Sequence, residues 1–179
     1  MKILLAEDEP AAADIYKSTL EKRNHDVIIA KDSDICLKEY KNSLEKLGAE
    51  TNKKSPFDVV VLDIKMPKKD GVQTAKEILE LNPLQRILFS SAFVKECLID
   101  SLKDFINIVA VFEKPFDLDD FVDMIEDKET YHKLEKLNVK FYRFGDLDPT
   151  NPEIEEMIKE VTKNQKPELW YSIGNLVIG

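Results

Sequence analysis

One short run of residues constrains the fold of this chain more than any other feature. Residues 59–62 read Val-Val-Val-Leu, and the run ends at Asp63. It is too short for a helix and too uniformly apolar for a strand that keeps one face in water. Such a run is typical of the central strand of a parallel sheet covered by helices on both faces. We therefore expect an α/β fold built around this strand.

The rest of the chain alternates short apolar runs with segments of helical apolar spacing. The predicted strands are Lys2–Ala6, Asp26–Ala30, Asp58–Asp63, Arg86–Ser90 and Ile108–Phe112. The predicted helices are Pro10–Asn24, Ser33–Leu47, Val72–Leu81, Val94–Phe105 and one that begins near Asp117. Parallel neighbours need crossover connections, which helices supply. This order predicts a doubly wound, five-stranded parallel sheet over residues 1–127.

Polar side chains follow the predicted strands. Glu7 and Asp8 come after the first strand, Asp63 ends the third, Ser91 follows the fourth and Lys114 follows the fifth. In open α/β sheets, ligands bind beyond the carboxyl ends of the strands. We therefore expect these side chains to line one acidic pocket.

The expected pocket has the chemistry of a cation and phosphoryl site. Crowded carboxylates repel one another unless a divalent cation offsets their charge, and oxygen-only ligands favour Mg²⁺ or Mn²⁺. Neither His25 nor His132 lies near the pocket in the predicted fold, so no zinc ligand set is present. A carboxylate beside a metal, with a hydroxyl and a lysine opposite, is suited to accept a phosphoryl group. Asp63 would be the nucleophile.

Four sequence blocks resemble the receiver domain of two-component response regulators. They are ILLAEDEP at residues 3–10, VVLDIKMP at residues 60–67 with Asp70-Gly71, Ser91-Ala92, and Lys114-Pro115-Phe116. The blocks occur in the family's order over residues 1–127. The resemblance implies a flavodoxin-like receiver fold of the chemotaxis-regulator kind.

The resemblance also implies roles for single residues. Asp63 would be the phosphoacceptor, and the metal would be held by Asp8, Asp63 and the Lys65 backbone carbonyl, with Glu7 in support. Ser91 and Lys114 would contact the phosphate. A sensor histidine kinase would donate the phosphoryl group, and an unidentified downstream protein would read the signal. Catalysis by the chain itself would be limited to phosphoryl transfer to Asp63 and slow autodephosphorylation.

Two positions bear on how the signal spreads. Val111 stands where receivers commonly have Tyr or Phe. We therefore expect the signal to travel through the loop after Ser91 and the helix predicted at Val94–Phe105. Phe93 occupies a variable position two residues after that hydroxyl. We hypothesise that Phe93 shields the acyl phosphate from water.

Residues 128–179 are expected to form a small C-terminal α+β extension. Residues 139–144 alternate like a strand, residues 153–162 are helical, and the apolar residues after 168 indicate a further strand. One interpretation is a cap that packs on the receiver domain. The other is a partner or homodimer contact that includes Trp170 and Tyr171.

Charge and apolar patterning limit the remaining function classes. A net charge of −9 argues against nucleic-acid binding, and no apolar run approaches the length of a membrane span, so we expect a cytoplasmic protein. Cys36 and Cys97 are expected to be buried free thiols. One alternative is a haloacid-dehalogenase-like phosphatase, but that class needs a second Asp two positions after the nucleophile, where Lys65 stands. The other is a transcriptional regulator that binds DNA through the acidic extension, which lacks a basic recognition helix.

Overall fold

The structure is a computed structural model that describes residues 1–47, 55–92, 109–127, 141–144, 171–173 and 176–178. The chain divides into two compact units, Met1–Phe89 and Ser90–Gly179. The helices predicted at 94–105 and 153–162, together with Phe93, Cys97, His132 and Trp170, lie outside the described residues. No helix in the described ranges is long and apolar enough to cross a membrane.

The first unit alternates strands and helices as the sequence predicts. Its elements are β1 (Lys2–Ala6), α1 (Pro10–Lys22), β2 (Asp26–Ala30), α2 (Ser33–Leu47), β3 (Val59–Asp63), α3 (Gly71–Leu81) and β4 (Ile87–Ser91), of which the last two residues fall in the second unit. The strand order is β2-β1-β3-β4, and β1 pairs in parallel with both β2 and β3. Helix α1 packs on β1 and β2, while α2 and α3 contact each other.

Some predicted boundaries were wrong by one residue. Strand β3 begins at Val59, and the exposed Asp58 before it accepts a hydrogen bond on its carboxylate from the Lys2 amide at 2.7 Å. Helix α3 begins at Gly71 because the Asp70 side chain caps it, accepting from the Gln73 amide at 2.7 Å. Ser91 is the last residue of β4 rather than the residue after it.

The predicted central strand lies deep in the core. Residues 59–62 are each 0% exposed, as are Ile3, Leu4 and Ala6 of the neighbouring β1. A strand buried along its whole length has both faces covered, because successive side chains point to opposite faces. The apolar run that predicted this strand was therefore interpreted correctly.

Cys36 is a buried free thiol in α2, as expected. Burial raises the pKa of this thiol to about 12, so it stays protonated at neutral pH. The side chain acts as a small apolar residue of the core.

The second unit contains β5 (Val109–Glu113), α4 (Leu118–Glu126), β6 (Phe141–Phe144), β7 (Tyr171–Ile173) and β8 (Leu176–Ile178). Helix α4 is capped by Asp117, whose carboxylate accepts from the Asp119 and Asp120 amides. Phe112, Phe116 and Phe121 pack together with ring centroids 5.1–5.3 Å apart. These contacts fasten α4 to the end of β5.

The strand predicted at residues 139–144 is present as β6, and the last apolar residues form two strands instead of one. Strand β6 pairs in parallel with β5, with Val109 opposite Tyr142 and Val111 opposite Phe144. Strand β8 pairs antiparallel with both β6 and β7. The C-terminal extension therefore adds strands beside β5.

Candidate functional site

Asp63 lies at the carboxyl end of β3 and is only 7% exposed. Its Oδ1 accepts a hydrogen bond from the backbone amide of Lys65 at 3.1 Å. A carboxylate held by an amide two residues later has a fixed orientation, as in an Asx turn. The third strand and the turn after it therefore position this side chain.

Two more carboxylates follow β1. Glu7 is 2% exposed and its amide donates to the Ala30 carbonyl at 3.0 Å, which continues the pairing of β1 with β2. Asp8 is exposed. One carboxylate oxygen from each of Glu7, Asp8 and Asp63 lies within 4.8 Å of the others. The structure therefore brings together the three acidic residues that the sequence placed at this edge.

This cluster fits a hard divalent cation. Oxygens bound to one Mg²⁺ are about 3 Å apart when adjacent and about 4 Å apart when opposite, and both separations fall inside the 4.8 Å limit within which these three oxygens lie. Glu7 and Asp63 are both buried, and a divalent cation would offset the cost of burying their negative charges. All three candidate ligands are oxygens, which excludes the nitrogen and sulfur set that zinc prefers. The donor chemistry matches Mg²⁺ or Mn²⁺.

The segment from 64 to 70, here called the acceptor loop, joins Asp63 to α3. The Gly71 amide, which directly follows the loop, donates a hydrogen bond to the Ile64 carbonyl at 2.9 Å and so holds the two ends of the loop together. A Cβ atom at position 71 would overlap the carbonyl oxygen of Asp63. Glycine at this position therefore lets α3 begin directly against the candidate phosphoacceptor.

Two lysines of the acceptor loop form ion pairs. Lys68 Nζ lies 3.1 Å from Asp32 Oδ2 and 3.0 Å from Asp34 Oδ2, and Lys69 Nζ lies 2.7 Å from Glu77 Oε1 on α3. The hydrogen bonds to these carboxylates raise the pKa of both lysines, so they are charged at neutral pH. Sequence reasoning missed these contacts, since no motif or spacing relates Lys68 to Asp32.

Ser91 and Lys114 lie in the second unit. Ser91 is fully buried at the end of β4, and Lys114 is half-buried just after β5. The Lys114 amide donates to the Ser91 carbonyl at 2.8 Å, so the two residues are neighbours. The peptide bond between Lys114 and Pro115 is cis. The hydroxyl and ammonium residues predicted from separate motifs are therefore adjacent in the fold.

Comparison with known proteins gives a family match. The profile described as the response regulator receiver domain matches residues 3–126, which is most of the chain. The response regulator receiver protein CpdR of Brucella abortus is 30% identical over 128 residues, which cover 70% of this chain and 93% of that protein. The alkaline phosphatase synthesis transcriptional regulatory protein PhoP of Bacillus subtilis is 33% identical over 91 residues. That match spans about half of this chain and a third of PhoP.

Solved structures give the same fold. A response regulator receiver domain protein from Clostridium thermocellum aligns with a TM-score of 0.59 at 22% identity, covering 75% of this chain and 98% of that one. The chemotaxis protein CheY4 of Vibrio cholerae aligns with a TM-score of 0.58 at 19% identity, covering 70% and 95%. These likenesses confirm the predicted flavodoxin-like α/β fold. The profile match and the likeness to CpdR show that this chain belongs to the response regulator receiver domain family.

Proposed function

We propose that this protein is a phosphorylation-dependent response regulator of a two-component system and that Asp63 accepts the phosphoryl group from a histidine kinase. The observation that carries the proposal is the meeting of Glu7, Asp8 and Asp63 within 4.8 Å at the end of the sheet. The family match supports the same function. A histidine protein kinase of Candida albicans is 30% identical over 119 residues, which cover 60% of this chain and 4% of that kinase.

In this mechanism, a carboxylate oxygen of Asp63 bonds to phosphorus as the bond from phosphorus to the kinase histidine breaks. The electron pair of the broken bond returns to the imidazole. The Lys65 amide holds Asp63 Oδ1 at 3.1 Å and so keeps the carboxylate oriented during transfer. A divalent cation bound by Glu7, Asp8, Asp63 and the Lys65 carbonyl would supply positive charge for the transferring phosphoryl group. Water later hydrolyses the acyl phosphate, which resets the site.

Ser91 and Lys114 are proposed to contact the transferred phosphate. A hydroxyl donates one hydrogen bond to a phosphoryl oxygen, and an ammonium forms a stronger, charge-assisted one. Their backbone link at 2.8 Å supports a joint role, because movement of one strand end is transmitted to the other. In this proposal the pair detects whether Asp63 carries a phosphate.

We infer that the output is a protein contact. Val111 lies in β5, three residues before Lys114, and its backbone is paired with Phe144 of the extension. A change at Lys114 would therefore reach the extension along one strand. A downstream protein or a second copy of this chain would read that change, and the extension would serve as either the cap or the contact surface.

The two rival functions receive less support. The haloacid-dehalogenase-like phosphatase needs an Asp where Lys65 stands, and the family match does not favour it. A DNA-binding extension receives little support, because residues 128–179 contain nine acidic and eight basic residues and therefore have no excess positive charge to neutralise DNA phosphates.

Beryllofluoride, a mimic of the phosphoryl group, tests the proposal. In the presence of Mg²⁺, we expect fluorine NMR to show bound signals for the wild type and none for Asp63→Ala. Asp14→Ala, an exposed aspartate of α1, is the matched control and should bind as the wild type does. Failure of the wild type to bind would refute the proposed function.

A further inference from the structure

Lys68 fastens the acceptor loop to Asp32, which lies between β2 and α2, and to Asp34 in the first turn of α2. Its ammonium nitrogen lies 3.1 Å from Asp32 Oδ2 and 3.0 Å from Asp34 Oδ2. A second contact joins the acceptor loop to the start of α2, since Ser33 Oγ donates to the Pro67 carbonyl at 3.5 Å. The acceptor loop is thus connected to the segment around Asp32 by a charged contact across 36 positions of sequence and by a neutral contact across 34.

The carboxylate that receives Lys68 is itself anchored. Asp32 Oδ1 accepts from the Ile35 amide at 2.8 Å in the first turn of α2, and its side chain is 13% exposed. The hydrogen bond from the Ile35 amide and the Lys68 ammonium lower the pKa of Asp32, so its carboxylate is charged at neutral pH. Asp34 is far more exposed, at 55%. Lys68 therefore binds one anchored, mostly buried carboxylate and one exposed carboxylate.

The backbone at Lys68 is unusual. Its φ angle is 73°, a left-handed conformation that L residues other than glycine, Asn and Asp adopt rarely. Within the described residues, Asn24 is the other non-glycine case, and asparagine tolerates this conformation. The long side chain of lysine does not form the local backbone hydrogen bonds by which Asn and Asp tolerate this conformation. The ion pairs are available to hold the strained residue in place.

We propose that Lys68 is a positioning residue: its ion pairs with Asp32 and Asp34 hold the acceptor loop in the conformation that the cation site requires. The link to the site is short, because Lys65 lies three residues earlier and its amide already binds Asp63. This inference rests on the proposed function, which assigns the Lys65 carbonyl to the cation.

The sign of one measurement separates positioning from a simple charge effect. Lysine near a cation site repels the cation, so removal of its charge alone would strengthen metal binding. If Lys68 positions the loop, its removal weakens metal binding, because the loop must be ordered again each time the cation binds. The two roles predict opposite changes in the dissociation constant.

The test uses full-length protein and Mn²⁺ as the probe, with binding measured by electron paramagnetic resonance. We expect Lys68→Met to bind Mn²⁺ about two- to fivefold more weakly than the wild type, in line with the strength of exposed ion pairs. Lys68→Arg, which keeps the charge and can reach both carboxylates, should bind nearly as the wild type does. Lys17→Met removes a lysine from a comparable exposed pair with Glu21 on α1, and it should leave binding unchanged.

A second readout needs no metal. Hydrogen exchange of the amides in residues 64–70 should be faster in Lys68→Met than in the wild type or Lys68→Arg, when all are free of divalent ions. Unchanged or tighter Mn²⁺ binding by Lys68→Met, or unchanged exchange in the acceptor loop, would overturn the inference. Absence of Mn²⁺ binding in the wild type would instead refute the proposed function. The two failures can be told apart, because the exchange measurement on the acceptor loop is made without metal.

Discussion

Gly71 lies so close to Asp63 that a Cβ atom at position 71 would overlap the carbonyl oxygen of Asp63. The Gly71 amide also closes the acceptor loop by donating to the Ile64 carbonyl at 2.9 Å. The first residue of α3 thus sets how closely that helix approaches the candidate phosphoacceptor. The contact explains why this position requires glycine for reasons of space.

We expect Gly71→Ala to destabilise the protein and slow phosphorylation of Asp63. The methyl group must displace backbone, and overpacking of this kind costs about 1–3 kcal/mol. Urea unfolding gives the stability change, and the initial rate of phosphorylation by acetyl phosphate gives the effect on the site. Gln73→Ala, an exposed position in the same helix turn, is the control. If the Gly71→Ala variant had the unfolding free energy and the phosphorylation rate of the wild type, the backbone would accommodate the methyl group without cost and the prediction would be wrong.

A buried hydrogen bond is expected to stabilise the other end of the sheet. The Tyr40 hydroxyl of α2 donates to Gln85 Oε1 at 3.1 Å, and the Gln85 amide group donates to the Phe57 and Arg86 carbonyls at 3.1 Å. Removal of the hydroxyl in Tyr40→Phe leaves a buried acceptor without this donor. We expect a loss of about 1–2 kcal/mol of unfolding free energy, measured in urea at pH 7.

Tyr40 also predicts a pH dependence. Burial raises the pKa of its hydroxyl from 10 to about 12, so the native state holds the proton more tightly than the unfolded state does. The stabilisation is complete below pH 10 and is lost as the pH rises from 10 to 12. The advantage of wild type over Tyr40→Phe should therefore shrink by about 1 kcal/mol between pH 9 and pH 11. A constant difference over this range would contradict the assignment.

The pairing of β6 with β5 predicts protection of the extension. Backbone amides of residues 141–144 should exchange slowly in the full-length protein, because they lie between β5 and β8. Arg143→Pro removes an amide from the middle of β6 and should speed exchange both in the rest of β6 and in β5. Rapid exchange of residues 141–144 in the wild type would exclude stable pairing.

Much of the first unit could be predicted from the sequence because its signals are local. The apolar run at 59–62 specified a strand buried on both faces, and the rule for carboxyl ends of parallel strands brought Glu7 and Asp8 to Asp63. That rule needs only the order of strands and helices. It does not need the side-chain conformation of any loop.

The features that escaped prediction depend on long-range geometry. Lys68 has a left-handed backbone and pairs with Asp32, 36 positions away, and no periodicity in the sequence encodes either feature. The strand at 141–144 was predicted, but its parallel pairing with β5 was not, since alternation identifies a strand without naming its neighbour. The roles of Ser91, Lys114 and the Lys65 carbonyl remain predictions.

The most direct test of the central claim is to map the phosphorylated residue. The full-length protein is incubated with Mg²⁺ and acetyl phosphate, and the acyl phosphate is reduced with borohydride before peptide mass spectrometry. We predict a single modified residue, Asp63, with no modification in Asp63→Asn or when EDTA removes the metal. Modification of a different carboxylate, or an unmodified wild type in the presence of Mg²⁺, would contradict the account.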